Sequence, residues 1–126
     1  MVKKIFIQDW GTYLDKTLVV VNSEFKDVVS FCKSNKIYHR DMKKMLKILK
    51  KEMASDCKGS LIESDEKRTL LYIRKFDYSW ESYSIILHEI HHEVYLWAKK
   101  NCMENEMEAQ AYQFEYLFNE INKKLI

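Results

Sequence analysis

The sequence predicts an α+β fold: a small, mostly antiparallel sheet packed with four helices. Three observations carry that expectation. Four short runs are rich in β-branched and aromatic residues. Four longer stretches repeat apolar residues at helical spacing. No linker divides them, because the 126 residues include no proline and only two glycines. The length suits one domain, 1–126, with strands and helices over 1–60 and a strand and two site-bearing helices over 61–126.

In chain order, KIFIQDW (4–10) and TLVVVN (17–22) read as two strands joined around Gly11 and Thr12. Ser23 is placed to cap a helix, SEFKDVVSFCKSN, whose inner side is Phe25, Val28, Val29 and Cys32. The second helix spans 40–54, with Met42, Met45, Leu46, Leu49 and Met53 inward and lysines outward. SDCKGS forms a turn, SLI (60–62) and TLLYIRKF (69–76) two further strands, and ESDEKR the turn between them. Ser79 caps the penultimate helix, which ends near Lys99 and Lys100 as the helix dipole favours. After a break at NCMEN, the last helix runs over about 104–124.

Composition narrows the class. The chain is 47% hydrophobic and 32% charged, the balance of a soluble globular protein rather than a disordered one. No run reaches membrane-span length, and the apolar stretch near the N-terminus is too short for a signal-peptide core. Cys32, Cys57 and Cys102 have no CxxC spacing and read as free thiols of a reducing compartment, which points to the cytoplasm and excludes a Cys-rich zinc ribbon. Charge is uneven. Residues 1–76 hold 17 Lys/Arg against 10 Asp/Glu, and residues 77–126 hold 4 against 9. The acidic second part favours a bound cation and disfavours nucleic acid as a partner at that place.

Residues 88–92 read HEIHH. On a helix, His88 and His92 lie one turn apart on one face, so both imidazoles can reach one metal ion. Glu89 lies about 100° round the axis from His88, out of easy ligand reach but able to accept a hydrogen bond from a metal-held water. That is the mechanical content of HExxH: two ligands and a base beside them. Tyr83, Leu87, Ile90, Val94 and Trp97 form the apolar stripe that anchors this helix, and nearby Ile85 and Leu96 predict a largely covered histidine face. His91 is read as a neighbour or surface residue, not a ligand. The bland alternative makes all three histidines ordinary polar residues on a half-exposed face.

A catalytic zinc takes three protein ligands and keeps a position open for water. The last helix offers Glu104, Glu106, Glu108 and Glu115. Glu108 is the expected third ligand and Glu104 the reserve. Glu108, Tyr112, Glu115 and Asn119 form one stripe, which can equally be a solvated face.

LHEIHH followed after a short break by MEAQAY resembles the small zinc metallopeptidases of the gluzincin type. It is most similar to compact phage and mobile-element proteins related to the ImmA/IrrE group, in which a glutamate of an ExxA segment follows the HExxH helix. The resemblance covers residues 69–121. It implies Zn2+ held by His88, His92 and Glu108, Glu89 as catalytic base, and a protein or peptide substrate in the host cytoplasm, such as a repressor. A small residue often stands in such relatives where this chain has His91, a departure that bears on access to the site. Tyr112 is the expected donor to the developing oxyanion, with Tyr95 and Tyr78 as weaker ones. If the outer edge of TLLYIRKF is free, an extended substrate can pair with it.

Lys43, Lys44, Lys47, Lys50 and Lys51 crowd one side of the helix at 40–54. Such a run is ordinarily a solvated face, and an acidic partner, DNA included, is the rarer meaning. The rival to an enzyme is a non-catalytic interaction protein with a metal-stapled helix pair. Glu89 separates the two, since a structural metal needs no base beside it.

Overall fold

The computed structural model describes residues 2–11, 13–66 and 68–126. The chain is α+β, with four helices and a four-stranded mixed sheet. In order the elements are β1 (Lys4–Trp10), β2 (Tyr13–Val21), α1 (Phe25–Ser34), α2 (Arg40–Ala54), β3 (Gly59–Glu63), β4 (Thr69–Ile73), α3 (Trp80–Lys100) and α4 (Met107–Leu125). Thr12 and Lys67, which fall in two of the expected turns, lie outside the described residues.

The strand order is β1-β2-β4-β3. β1 pairs antiparallel with β2 from Lys4 opposite Val21, and β3 pairs antiparallel with β4 from Gly59 opposite Ile73. The two halves join by a parallel pairing of β2 with β4, Thr17 beside Thr69 through Val21 beside Ile73. The sheet is therefore not purely antiparallel. β4 is paired on both sides, so the condition of a free edge on TLLYIRKF is not met: the free edges belong to β1 and β3. β4 also ends at Ile73, before the Phe76 expected from the sequence. The Arg74 side chain donates to the carbonyls of Glu52, Met53, Ser55 and Cys57 at 2.6–3.1 Å, closing the open C-terminal end of α2.

Side-chain alternation along the central strands builds two cores. Val19, Val21, Leu71 and Ile73 face α3 and α4, where Ile86, Ile90, Val94, Trp97, Leu117 and Ile121 cover them. Leu18, Val20, Leu70 and Tyr72 face α1 and α2, against Val28, Met42, Met45, Leu46 and Leu49. The sheet thus separates two helical layers.

The helix ends show local chemistry. Ser79 Oγ accepts from the Ser82 backbone N–H at 3.2 Å, the expected cap. Ser23 does not cap α1. Glu24 is the N-cap residue, and the Ser23 hydroxyl donates to the Val21 carbonyl at 2.9 Å instead. α1 and α3 end alike, with Lys36 (φ 58°) and Cys102 (φ 57°) in the left-handed region. In α3 the Cys102 N–H bonds the Lys99 carbonyl and the Met103 N–H the Ala98 carbonyl, a Schellman ending without glycine. All three cysteines are free, and burial pushes the Cys32 thiol up to about 11. Among the described residues no helix is long and apolar enough to cross a membrane.

Candidate metal centre

α3 carries His88, Glu89 and His92, and its rotation decides what they face. Ile86, Ile90, Val94, Trp97 and Ala98 are buried against the sheet. Glu93 fixes that rotation. It is only 2% exposed, and its carboxylate accepts hydrogen bonds from the hydroxyls of Thr17 and of Thr69, the latter at 2.7 Å. The Trp10 indole donates to Thr17 Oγ1 at 3.0 Å, extending the network into β1. With Glu93 held inward, His88 and His92 point outward, and both are exposed, as is His91. This corrects the expectation of a covered histidine face: Ile85 and Leu96 are only half-buried and leave the imidazoles open.

The two imidazoles converge. Nε2 of His88 lies 3.1 Å from Nε2 of His92, with the rings edge to face. Two nitrogens bound to one tetrahedral zinc at about 2.0–2.1 Å would be roughly 3.3 Å apart, so the observed spacing is close to that of a shared ion. Glu89 completes the group: one ligand atom from each of the three residues falls within 4.8 Å of the others.

Glu89 sits in the seam between α3 and β3. A side chain on Gly59 would come within 2.7 Å of Ile85 Cγ2 and 3.3 Å of Glu89 Cγ, so the bare backbone of Gly59 lets the helix lie against the strand. Glu89 is 6% exposed, and its Oε2 is buried with no hydrogen-bond partner among the described residues. Burial pushes its carboxyl above the ordinary carboxylate range; His88 and His92 pull it back, and Glu52 adds to the rise. An unpartnered buried carboxylate oxygen beside two convergent imidazoles fits a divalent cation or the water it holds. The two imidazole nitrogens are donors that zinc accepts.

The structure does not bring Glu108 to this group. Glu108 is exposed in the first turn of α4, where it lines a hollow of about 490 Å³ with Trp10, Gly11, Trp97, Tyr112 and Tyr116. The reason is the antiparallel pairing of α3 with α4. The Tyr83 hydroxyl donates to Asn122 Oδ1 at 2.9 Å, which sets the register. At 1.5 Å per residue, Glu108 then stands level with Trp97, roughly 7 Å along the axis beyond His92. Tyr112 is 72% exposed in the same hollow, apart from the histidines. Tyr95 is exposed, and the Tyr78 hydroxyl is bound to the Leu125 carbonyl. Glu104 and Glu115 are exposed and outside the three-residue group. The stripe of Glu108, Tyr112, Glu115 and Asn119 is exposed at every position.

Glu93 is the residue that sequence reasoning missed. The signal was available: at helical spacing it falls between Ile86, Ile90 and Trp97, a carboxylate within an apolar arc. Comparison with known proteins adds nothing to the geometry: no family model, no curated protein and no solved structure matches the chain.

Proposed function

We propose that His88 and His92 hold a zinc ion and that the protein is a zinc-dependent metallopeptidase acting on one or few protein targets in the cytoplasm. The observation that carries this reading is the convergent histidine pair with the buried, unpartnered oxygen of Glu89 beside it. Zinc in such a place supplies a water acidic enough to be deprotonated near neutral pH and polarises a carbonyl. Glu89 takes the proton from the attacking water and delivers it to the leaving amine, a task suited to a carboxyl that burial raises above the ordinary carboxylate range. The exposed histidine face leaves room for both water and substrate.

β3 supports a peptide as the substrate. It is an edge strand, and its first residue, Gly59, lies where a Cβ would come within 3.3 Å of Glu89 Cγ. An extended peptide pairing with its free edge would run beside the histidines, held by backbone hydrogen bonds. The rival, a metal-stapled helix pair, needs ligands from both α3 and α4, whereas the clustered groups all lie on α3. Glu108, the third ligand that the resemblance implies, can join only if the first turn of α4 moves toward His92.

The test is hydrolysis of a mixed peptide library by zinc-loaded protein, read by mass spectrometry. The proposal expects cleavage that falls by about 10²–10⁴-fold in Glu89→Gln while zinc is retained. Cleavage that survives Glu89→Gln, or zinc-loaded protein that cuts nothing, overturns it.

A further inference from the structure

The outer face of α2 carries a second feature, on the other side of the sheet from the histidines. α2 buries Met42, Met45, Leu46 and Leu49. Its opposite side presents Arg40, Lys43, Lys44, Lys47, Lys50 and Lys51, all exposed. At 100° per residue these six fall within an arc of about 120° and span roughly 16 Å of helix. The two acids of α2 lie off that arc: Asp41 is buried beside Arg68, and Glu52 is half-buried. Lys44 reaches the exposed Asp65 at 3.3 Å. Among the described residues no carboxylate pairs with Lys43, Lys47, Lys50 or Lys51. A surface serving only solubility intersperses both signs. Here like charges stand at i+3 and i+4 along the whole face, an arrangement that destabilises a helix by itself.

We propose that this face binds the phosphate backbone of a nucleic-acid duplex without reading its sequence. Three observations select that partner. Ile48 is the one exposed large hydrophobic residue described on α2, so the face lacks the aromatic anchors of a protein interface. The apolar side of α2 is in the core, so none is left to enter a membrane. The neighbouring rings are already covered by cations, Tyr38 by Lys33 and Lys43 at 5.1 and 5.0 Å and Phe25 by Lys50 at 5.8 Å. These two rings are not open to stack unpaired bases, which favours a duplex over a single strand. The proposal is independent of the metal reading, because the sheet separates the two surfaces.

The test is fluorescence anisotropy of the full chain with a labelled duplex DNA of about 20 base pairs of arbitrary sequence. Four to six phosphate contacts predict that affinity falls roughly 10²–10³-fold between about 50 and 200 mM salt. Exchanging Lys43, Lys47, Lys50 and Lys51 for Gln weakens binding and lowers the log–log salt slope by about three to four. Should four exchanges unsettle α2 by circular dichroism, Lys47→Gln with Lys51→Gln lowers it by about two. Absence of duplex binding at about 50 mM salt, or a slope indifferent to these exchanges, overturns the proposal. So does tighter binding of polyglutamate than of the duplex, which would assign the face to an acidic protein.

Discussion

The two helical layers are built on different principles. The α1/α2 layer meets the sheet through apolar side chains, Met42, Met45, Leu46 and Leu49 against Leu18, Val20, Leu70 and Tyr72, and its one buried charge, Asp41, is paired with Arg68. The α3/α4 layer buries Glu89, Glu93 and Gln113 among its apolar residues and leaves histidines exposed. Burying a carboxylate is costly unless something compensates it. Thr17 and Thr69 compensate Glu93. Among the described residues nothing bonds Oε2 of Glu89. Rule-breaking polar burial of this kind is where chemistry is expected.

Breaking each layer at its centre gives the largest effects. Leu49→Ala removes a fully buried side chain from the apolar layer and is expected to cost about 2–5 kcal/mol. Glu93→Ala strands two threonine hydroxyls in the other layer and is expected to cost about 2–4 kcal/mol. Denaturant melts check both. The sharper contrast lies in zinc affinity, which Glu93→Ala weakens by loosening the rotation of α3 and Leu49→Ala leaves alone.

A smaller effect separates Glu89 from the ordinary carboxylates. Its folded carboxyl holds its proton to higher pH than the unfolded chain does. The metal-free protein therefore loses stability as pH rises from the ordinary carboxylate range through the raised value. Glu89→Gln cannot ionise, so the metal-free variant is expected to melt higher than the parent at pH 7 and no differently near pH 4. Equal melting temperatures at both pH values would show that burial does not shift Glu89.

The smallest effect is local. Cys102 holds a left-handed position at the end of α3 that glycine occupies without strain. Cys102→Gly is expected to stabilise by up to about 1 kcal/mol in a thermal melt. The matching end of α1, at Lys36, should respond the same way.

Much of the fold was legible locally. α2 spans residues 40–54 as its amphipathic period predicts, and Ser79 caps α3 as its position predicts. The parallel pairing of β2 with β4 was missed because it joins residues 52 apart in sequence, Thr17 with Thr69. A hint was present: LVVV and LLYI are unbroken apolar runs, the pattern of strands covered on both faces. At the candidate site, the convergence of His88 with His92 followed from i,i+4 spacing alone. The exposure of that face did not, because it depends on Glu93 finding Thr17 and Thr69 on distant strands. Glu108 was expected from the resemblance and from its place on the last helix, and helix register, a tertiary property, puts it level with Trp97 instead.

The most direct measurement is zinc stoichiometry and affinity of the purified protein beside His88→Ala, His92→Ala and Glu108→Ala. The account predicts about one zinc in the parent and a loss of at least about 100-fold in affinity in either histidine variant. It predicts little change in Glu108→Ala. Zinc that stays bound with parental affinity in His88→Ala and in His92→Ala would contradict the account at its centre.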